Sequence, residues 1–432
     1  MKQKKALLIS HSLTAVTGFG NQHWLLARAL ADAGWKVYGV CKDYHGEVIE
    51  CKEGTHTENG KDLSGITILP WGEAPWLEDK TEFYVRKYRP DIVYTLGDIW
   101  CYQHITKLPK DYPWYWIANY EFDTENMVGF WHQNVRNADI SVVPAKFAYE
   151  MLRDAGHKNA IYLPHGVDTE VFKPMTYDEK CVQRKKFGFP DSDFIISCVA
   201  HNQQRKMLAR LLRAFKKFSE GKDDVTLFMH TQMKDFTGWD MGQLITDWGL
   251  EKKAFLTDKT AKMIGDVHVP PSELRNYYCL SDVHALSSGG EGFGIPMVEA
   301  MACGLPNVAT DYTTTKEFLC DIKRDPAGKP VGVEPIRGIP VPYVDIEHHY
   351  TGGIWALVDT GKMADAFQTL YEDPNLRHKM GTSARQLAVE HYDAKRIKSL
   401  WIEVFENAPQ FVEELKDSVA EDTGLKAVRF TV

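Results

Sequence analysis

Apolar residues in the first 170 positions fall into short runs separated by stretches with helical spacing. Positions 6–10 (Ala-Leu-Leu-Ile-Ser) form an almost continuous apolar run, the pattern of a strand buried on both faces. In 21–33, Trp24, Leu25, Ala27, Leu30 and Ala31 recur at helical intervals, and Gly34 supplies the stop. Further strands are predicted over 35–40, 65–69, 91–96, 114–118, 140–144 and 160–163. Alternating strands and helices at this spacing predict a parallel sheet covered by helices. Residues 43–64 are polar and read as a surface excursion with some local β structure. The polar stretch 174–192 breaks the alternation and reads as a crossover between domains. The alternation then restarts, with strands at 194–200, 225–231, 254–256 and 283–286, and helices at 207–219, 241–249, 271–279 and through 298–303. Residues 336–354 read as a loop, and 362–371 and 375–414 as helices. The last residues form an acidic tail.

The pattern therefore predicts two doubly wound domains. The chain divides into an N-terminal domain over 1–180, a second over 181–390 and a closing helical segment over 391–432 that returns to the first domain. A length of 432 residues suits two cores.

The net charge is -8, with 20 Lys and Arg against 24 Asp and Glu in 1–180 and 31 against 35 in 181–432. Neither half is a basic nucleic-acid module by net charge. The eight cysteines are scattered without a Cys-x-x-Cys pair, which argues against a disulfide framework or zinc ribbon and for reduced thiols. No apolar run is long enough to cross a bilayer, and the basic start leads into a strand rather than a signal peptide. The expected location is the cytoplasm, that of the host if the protein is viral.

The main chemical signal is Ser287-Ser288-Gly289-Gly290-Glu291-Gly292-Phe293-Gly294-Ile295-Pro296-Met297-Val298-Glu299, running on to Gly304-Leu305-Pro306. A strand ends, glycines turn the chain and a helix begins. Backbone N–H groups at such a helix start favour an anion. If the two glutamates bracket one helix, its eight residues span roughly 12 Å, the reach of one long ligand with phosphates in the middle.

This Glu, seven residues, Glu pattern around Gly-Phe-Gly-Ile-Pro resembles the donor motif of retaining glycosyltransferase family four, a group 1 type. The resemblance implies the GT-B fold, two Rossmann-like domains facing across a cleft, and a nucleoside-diphosphate sugar as donor. It implies that Glu291 takes the transferred sugar, Glu299 the ribose, and Gly292, Phe293 and Gly294 the distal phosphate. Arg205 and Lys206 resemble the family's cationic pair, where fixed positive charge steadies a diphosphate leaving group. The arginine usual just after the strand is here His201 or Asn202, and His201 is a candidate neutral donor to the nucleotide. Thr17-Gly18-Phe19-Gly20-Asn21 resembles the N-domain glycine loop, which makes Gly18 and Gly20 candidates against the donor phosphate. The segment 163–174 resembles the entry to the interdomain linker, with His165 read as architectural. Where many members carry an N-domain histidine, this chain has Asn119-Tyr120-Glu121-Phe122-Asp123. Glu121 or Asp123 is the candidate to orient the acceptor hydroxyl instead, by accepting its hydrogen bond.

The resemblance implies retention of configuration, with the departing phosphate accepting the acceptor's proton, and no required cofactor or metal. Two decoys are set aside: Asp191-Ser192-Asp193 as a turn and Glu347-His348-His349 as a solvated loop. Aromatic residues concentrate in the first half, where Trp71, Trp100 and Tyr120 are candidates to line the acceptor side. The expected reaction moves a hexose, as from UDP-glucose, to a glycan hydroxyl. The alternative acceptor is a hydroxymethylated pyrimidine base in DNA, single-stranded included, since aromatic faces stack on bases as on sugars. A sugar-nucleotide epimerase and a non-catalytic sugar-nucleotide binder are the other classes.

Overall fold

The computed structural model describes residues 3–52, 54, 57–257, 269–324, 330–349 and 351–420. The chain forms two compact units. The first takes the described parts of 1–122, 126–166 and 394–432, and the second takes 123–125 and 167–393.

The first unit is built on an eight-stranded sheet in the order Ala160–Tyr162, Ile140–Val143, Tyr115–Glu121, Ile92–Asp98, Lys5–His11, Lys36–Lys42, Ile66–Pro70, Ile49–Glu50. All neighbours are parallel except the last pair. The central strands are buried along their length, as apolar runs require when helices cover both faces. The helix Ala394–Ala420 completes this unit although it is last in the chain. Its Ile397, Trp401, Val404, Phe405 and Ala408 are buried in one cluster with Leu26, Leu30 and Trp35. Trp35 meets Phe405 edge-on at 5.6 Å and donates its indole N–H to Glu406 at 2.8 Å.

The second unit holds a six-stranded, wholly parallel sheet in the order Ala254–Leu256, Val225–His230, Phe194–Val199, Val283–Leu286, Asn307–Thr310, Gly338–Val341. The order reverses between Phe194–Val199 and Val283–Leu286. In such sheets the crevice beyond the carboxyl ends of those two strands is where ligands settle.

Three sequence expectations change. The polar stretch 174–192 is not a featureless crossover but contains the helix Tyr177–Phe187, opened by a reciprocal capping box between Thr176 and Glu179. Its buried Arg184 donates to the carbonyls of Leu280, Asp191 and Asp193 and pairs with Asp282 at 2.7 Å. The carbonyls of the Asp191-Ser192-Asp193 turn are thus partners of an arginine. The loop predicted over 336–354 contains the strand Gly338–Val341 and the hairpin Tyr343–His348 with Ile354–Val358. Proline and glycine masked these strands, and Gly338 is needed because a Cβ there would lie 2.2 Å from the Asn307 carbonyl oxygen. The helix predicted over 375–414 is two helices, Pro374–His391 and Ala394–Ala420. Between them Tyr392 is buried against Phe293 and Phe318. The acidic end beyond 420 lies outside the described residues.

Replacing Trp401 with Ala should cost about 3–5 kcal/mol, because the vacated volume sits inside a packed cluster. The check is the denaturant midpoint of the full chain; an unchanged midpoint would exclude this helix from the core.

Candidate functional site

In the second unit, the loops after Phe194–Val199 and Val283–Leu286 are fastened to each other. Ser287 Oγ donates to the Lys206 and Met207 carbonyls at 2.8 and 2.9 Å. The Gly289 N–H donates to the Arg205 carbonyl at 2.7 Å. Two glycines let other segments of the unit press against this loop. A Cβ on Gly289 would lie 2.8 Å from Trp355 Cβ, and one on Gly290 would lie 1.8 Å from the Asp123 carbonyl oxygen.

Glu291 stands at the junction and is 7% exposed. Lys206 Nζ reaches its two oxygens at 2.7 and 2.8 Å, Arg205 Nη1 lies at 3.2 Å, and Ser288 Oγ donates a short hydrogen bond. Burial alone would raise this carboxyl, but Lys206 and then Arg205 overcome it and hold it at about 2. Arg205 also hydrogen-bonds the Gly290 carbonyl and pairs through Nε with Asp123 at 3.0 Å. A guanidinium with its donors in a fixed fork suits this triple role.

The helix that follows is Ile295–Ala302, so Glu291 lies before it and not on it. The helical span of two bracketing glutamates therefore does not apply, because residues 291–294 bend ahead of the helix. Gly294 has φ +88°, a conformation glycine adopts without steric cost. The Phe293 side chain is buried against Phe318 and Tyr392, so only its backbone is available to a ligand. Glu299, on the helix, is also 7% exposed but meets no cation among its described contacts. It accepts from the Tyr278 hydroxyl at 2.7 Å, and burial pushes its carboxyl up to about 7.

His201 lies apart from this cluster, hydrogen-bonded to Gln232 at 2.8 Å and facing Asp235 at 3.3 Å. Asn202 is buried and braces the 232–239 loop through Gln232 and Trp239. Arg205, four residues beyond His201, lies instead against Glu291 beside Lys206.

Asp123 falls in the second unit, whereas Glu121 falls in the first. Glu121 ends the strand Tyr115–Glu121 and is bonded at 2.5 Å to His165, which is buried. His165 thus pairs with a site candidate, a contact that the sequence, with the two 44 residues apart, did not announce. Tyr120 is 2% exposed, and its hydroxyl is taken by Gln103 and Asn134, so its ring is core rather than a stacking face. Trp71 is likewise buried, while Trp100 is 37% exposed. Gly18 opens the helix Gly18–Asp32, and Thr17 caps it by accepting from the Gly20 N–H at 3.1 Å. A Cβ on Gly20 would lie 2.5 Å from the Ala15 carbonyl oxygen, so the tight loop demands this glycine. Lys61, buried, donates to the carbonyls of Leu13 and Ala15 and holds the same loop from the polar excursion.

Ser288, Tyr278 and Thr313 were not expected at the site. Thr313 accepts the Glu291 N–H at 3.0 Å and has φ +54°, where a β-branched residue carries strain of about 1–3 kcal/mol. Ser288 lies inside the motif, whereas Tyr278 and Thr313 carry no signal in sequence. No group of three or more His, Cys, Asp or Glu placed to hold a metal ion occurs among the described residues.

Two doubly wound units with a phosphate-type loop at the strand-order reversal define the GT-B class, and comparison agrees. The chain has the fold of a sucrose-phosphate synthase from Thermosynechococcus elongatus, with a TM-score of 0.71 and 17% identity over 94% of this chain and 99% of that one. It also superimposes on the Anabaena protein HepE in complex with UDP-glucose, with a TM-score of 0.65 and 16% identity over 93% of this chain and 99% of that one. At these identities the likeness is one of fold. Residues 179–333 match the glycosyl transferases group 1 family, so the chain carries the group 1 domain on a GT-B fold. That segment contains Arg205, Lys206, Glu291 and Glu299. A GDP-mannose-dependent monoacylated alpha-(1-6)-phosphatidylinositol monomannoside mannosyltransferase of Corynebacterium glutamicum is 25% identical over 53% of this chain and 51% of its own length. The chain spans about half the length of the curated relatives it matches. No described helix is long and apolar enough to cross a membrane.

Removing Glu291 while keeping Lys206 leaves a buried ammonium without its partner. Glu291→Ala should therefore cost about 3–5 kcal/mol at pH 7, and adding Lys206→Met should recover most of it. The pair's contribution is present above pH 4.5 and lost as the pH falls toward 2. Denaturant titrations of the single and double variants decide this. A double variant no more stable than the single would show that Glu291 is not held by Lys206.

Proposed function

We propose that this protein is a retaining glycosyltransferase that moves a hexose from a nucleoside-diphosphate sugar, UDP-glucose in the first instance, to a hydroxyl of a glycan. The observation that carries this reading is the Lys206–Arg205–Glu291 cluster at the strand-order reversal, inside the segment that matches group 1 glycosyl transferases. The unliganded cluster is internally neutralised. An arriving diphosphate competes for Lys206 and Arg205, and Glu291 is then freed to accept hydrogen bonds from sugar hydroxyls. As the glycosidic bond to phosphate breaks, the two cations face the charge that develops on the leaving oxygen, where fixed charge acts most strongly. The leaving phosphate takes the proton of the attacking hydroxyl, and Glu291 serves binding rather than nucleophilic attack. Gly18 and Gly20 are assigned to the donor phosphate on the resemblance of their loop to the family's glycine loop. Asp123, tied to Arg205, orients the acceptor hydroxyl, and no metal is required.

The choice of UDP-glucose draws on the Anabaena relative in fold, whereas the Corynebacterium relative is named for GDP-mannose. A screen of both donors, reading acceptor-dependent nucleotide release, separates them. The anomeric configuration of the product by NMR tests retention, and full activity in a chelator tests the absence of a required metal. For the acceptor, Asp98 and Glu121 sit opposite each other at the carboxyl ends of neighbouring strands. Two carboxylates on this edge favour an uncharged glycan over a nucleic-acid strand. Hydroxymethylated oligonucleotides belong in the same screen, and their glucosylation would reverse this assignment. Donor consumption without any acceptor would point to an epimerase, and donor binding without turnover to a binding protein.

Two carboxylates with opposite titration give a pH test. Ribose hydroxyls donate to an ionised Glu299, whose carboxyl is held at about 7. Nucleotide affinity should therefore rise by about tenfold in all between pH 6 and pH 8, most of it below pH 7. The same burial opposes folding. Its cost is absent below pH 4.5 and grows to about 3 kcal/mol above pH 7, because the unfolded chain releases this proton first. Glu299→Gln should be more stable than the parent at pH 8, equal to it at pH 4, and flat in its nucleotide affinity across pH 6–8. Calorimetry and thermal unfolding at three pH values check both halves.

A further inference from the structure

The Glu291 carboxylate is gripped by side chains, but its backbone is held by a separate route. Its N–H donates to Thr313 Oγ1 at 3.0 Å, and the Thr313 N–H donates to Glu125 Oε1 at 3.0 Å. Tyr312 braces the same route. Its hydroxyl accepts from the Glu125 N–H at 3.1 Å, donates to the Ile354 carbonyl at 3.2 Å and lies 3.4 Å from Thr124 Oγ1. The Thr124 hydroxyl in turn accepts from the Ile354 N–H at 2.9 Å. Residues 123–125 are thereby built into the second unit, with the Asp123 carbonyl against Gly290.

Thr313 is the informative member. It is 5% exposed and holds φ +54°, a region that glycine enters freely and a β-branched residue resists. Such a conformation persists only where the surroundings over-determine it. Glycine would relieve the backbone but has no hydroxyl to receive the Glu291 N–H. The strain is thus tied to one hydrogen bond, and that bond fixes the residue meant to face the sugar.

We propose that Thr313 and Glu125 are positioning residues for the donor sugar, acting on Glu291 through its backbone. The inference rests on the reading of Glu291 as the sugar contact. It also means that the Glu291 amide is committed inside the protein, so the amides offered to a diphosphate begin at Gly292.

The test uses the full chain with Thr313→Val, which keeps the shape and removes the acceptor oxygen, and Glu125→Ala. Thr313→Ser and Glu125→Gln are the rescue variants, since each keeps an oxygen in place. Hydrogen exchange of the 289–294 segment is measured without ligand. Affinity is measured for UDP against UDP-glucose and for GDP against GDP-mannose. Thr313→Val and Glu125→Ala should exchange at least about tenfold faster and lose about tenfold of the affinity gained from the sugar, with diphosphate affinity unchanged. The rescue variants should match the parent in both. Unchanged exchange in Thr313→Val overturns the proposal whatever the donor is. So does faster exchange with the sugar-dependent gain intact, provided Glu291→Gln abolishes that gain. If Glu291→Gln itself leaves the gain intact, the reading of Glu291 as the sugar contact fails, and the proposal built on it is overturned with it.

Discussion

A carboxylate with almost no access to water stays ionised only if cations or hydrogen-bond donors replace the solvent, and Glu291 is arranged around that constraint. Lys206, Arg205 and Ser288 surround it. To bring them together, the loops of two neighbouring strands must be bonded side by side, with Ser287 and Gly289 joining them. On the same loop, Trp355 and the Asp123 carbonyl leave no room for a Cβ at Gly289 or Gly290. The glycines, the strand order and the buried ion pair are thus one structure seen at three scales. Lys206 is thereby desolvated and Arg205 partly so, both fixed in place, which is the condition under which charge is most effective.

The two glutamates of the motif have different electrostatic settings although both are equally buried. Glu291 has two cations and sits low; Glu299 has a tyrosine hydroxyl and sits near neutrality. Desolvation acts on both in the same direction, so the difference is the neighbouring charge. One carboxylate is held charged before any ligand arrives, and the other becomes charged where hydroxyl donors meet it. The backbone contrast runs in parallel, since Glu299 lies in a helix whereas Glu291 lies ahead of it and is held by a strained threonine.

Much of the scaffold was legible because burial on both faces writes itself as uninterrupted apolar runs. The strands at Lys5–His11, Lys36–Lys42, Phe194–Val199 and Val283–Leu286 are such runs. Gly338–Val341 was not legible, because its glycine answers to the approach of Asn307 rather than to strand propensity and its proline reads as a breaker. The helix Tyr177–Phe187 was masked by its polarity, since its buried residue is an arginine satisfied by carbonyls and Asp282. Tyr120 and Trp71 looked like surface for a ligand, but an aromatic residue near a strand end reads the same whether it faces solvent or core.

By itself, the sequence determined two alternating α/β halves, a glycine-rich stretch carrying Glu291 that leads into a helix carrying Glu299, and an Arg–Lys pair after an earlier strand. These are local patterns, set by hydrophobic periodicity and by the conformational freedom of glycine. Only the tertiary structure decided which of them meet. It brought Lys206 and Arg205 to Glu291 across 85 and 86 positions, joined His165 to Glu121, and placed Asp123 on Arg205. It set a threonine at positive φ beneath the Glu291 amide. Such pairings depend on strand order and loop contact, and neither is encoded in the periodicity of any one segment.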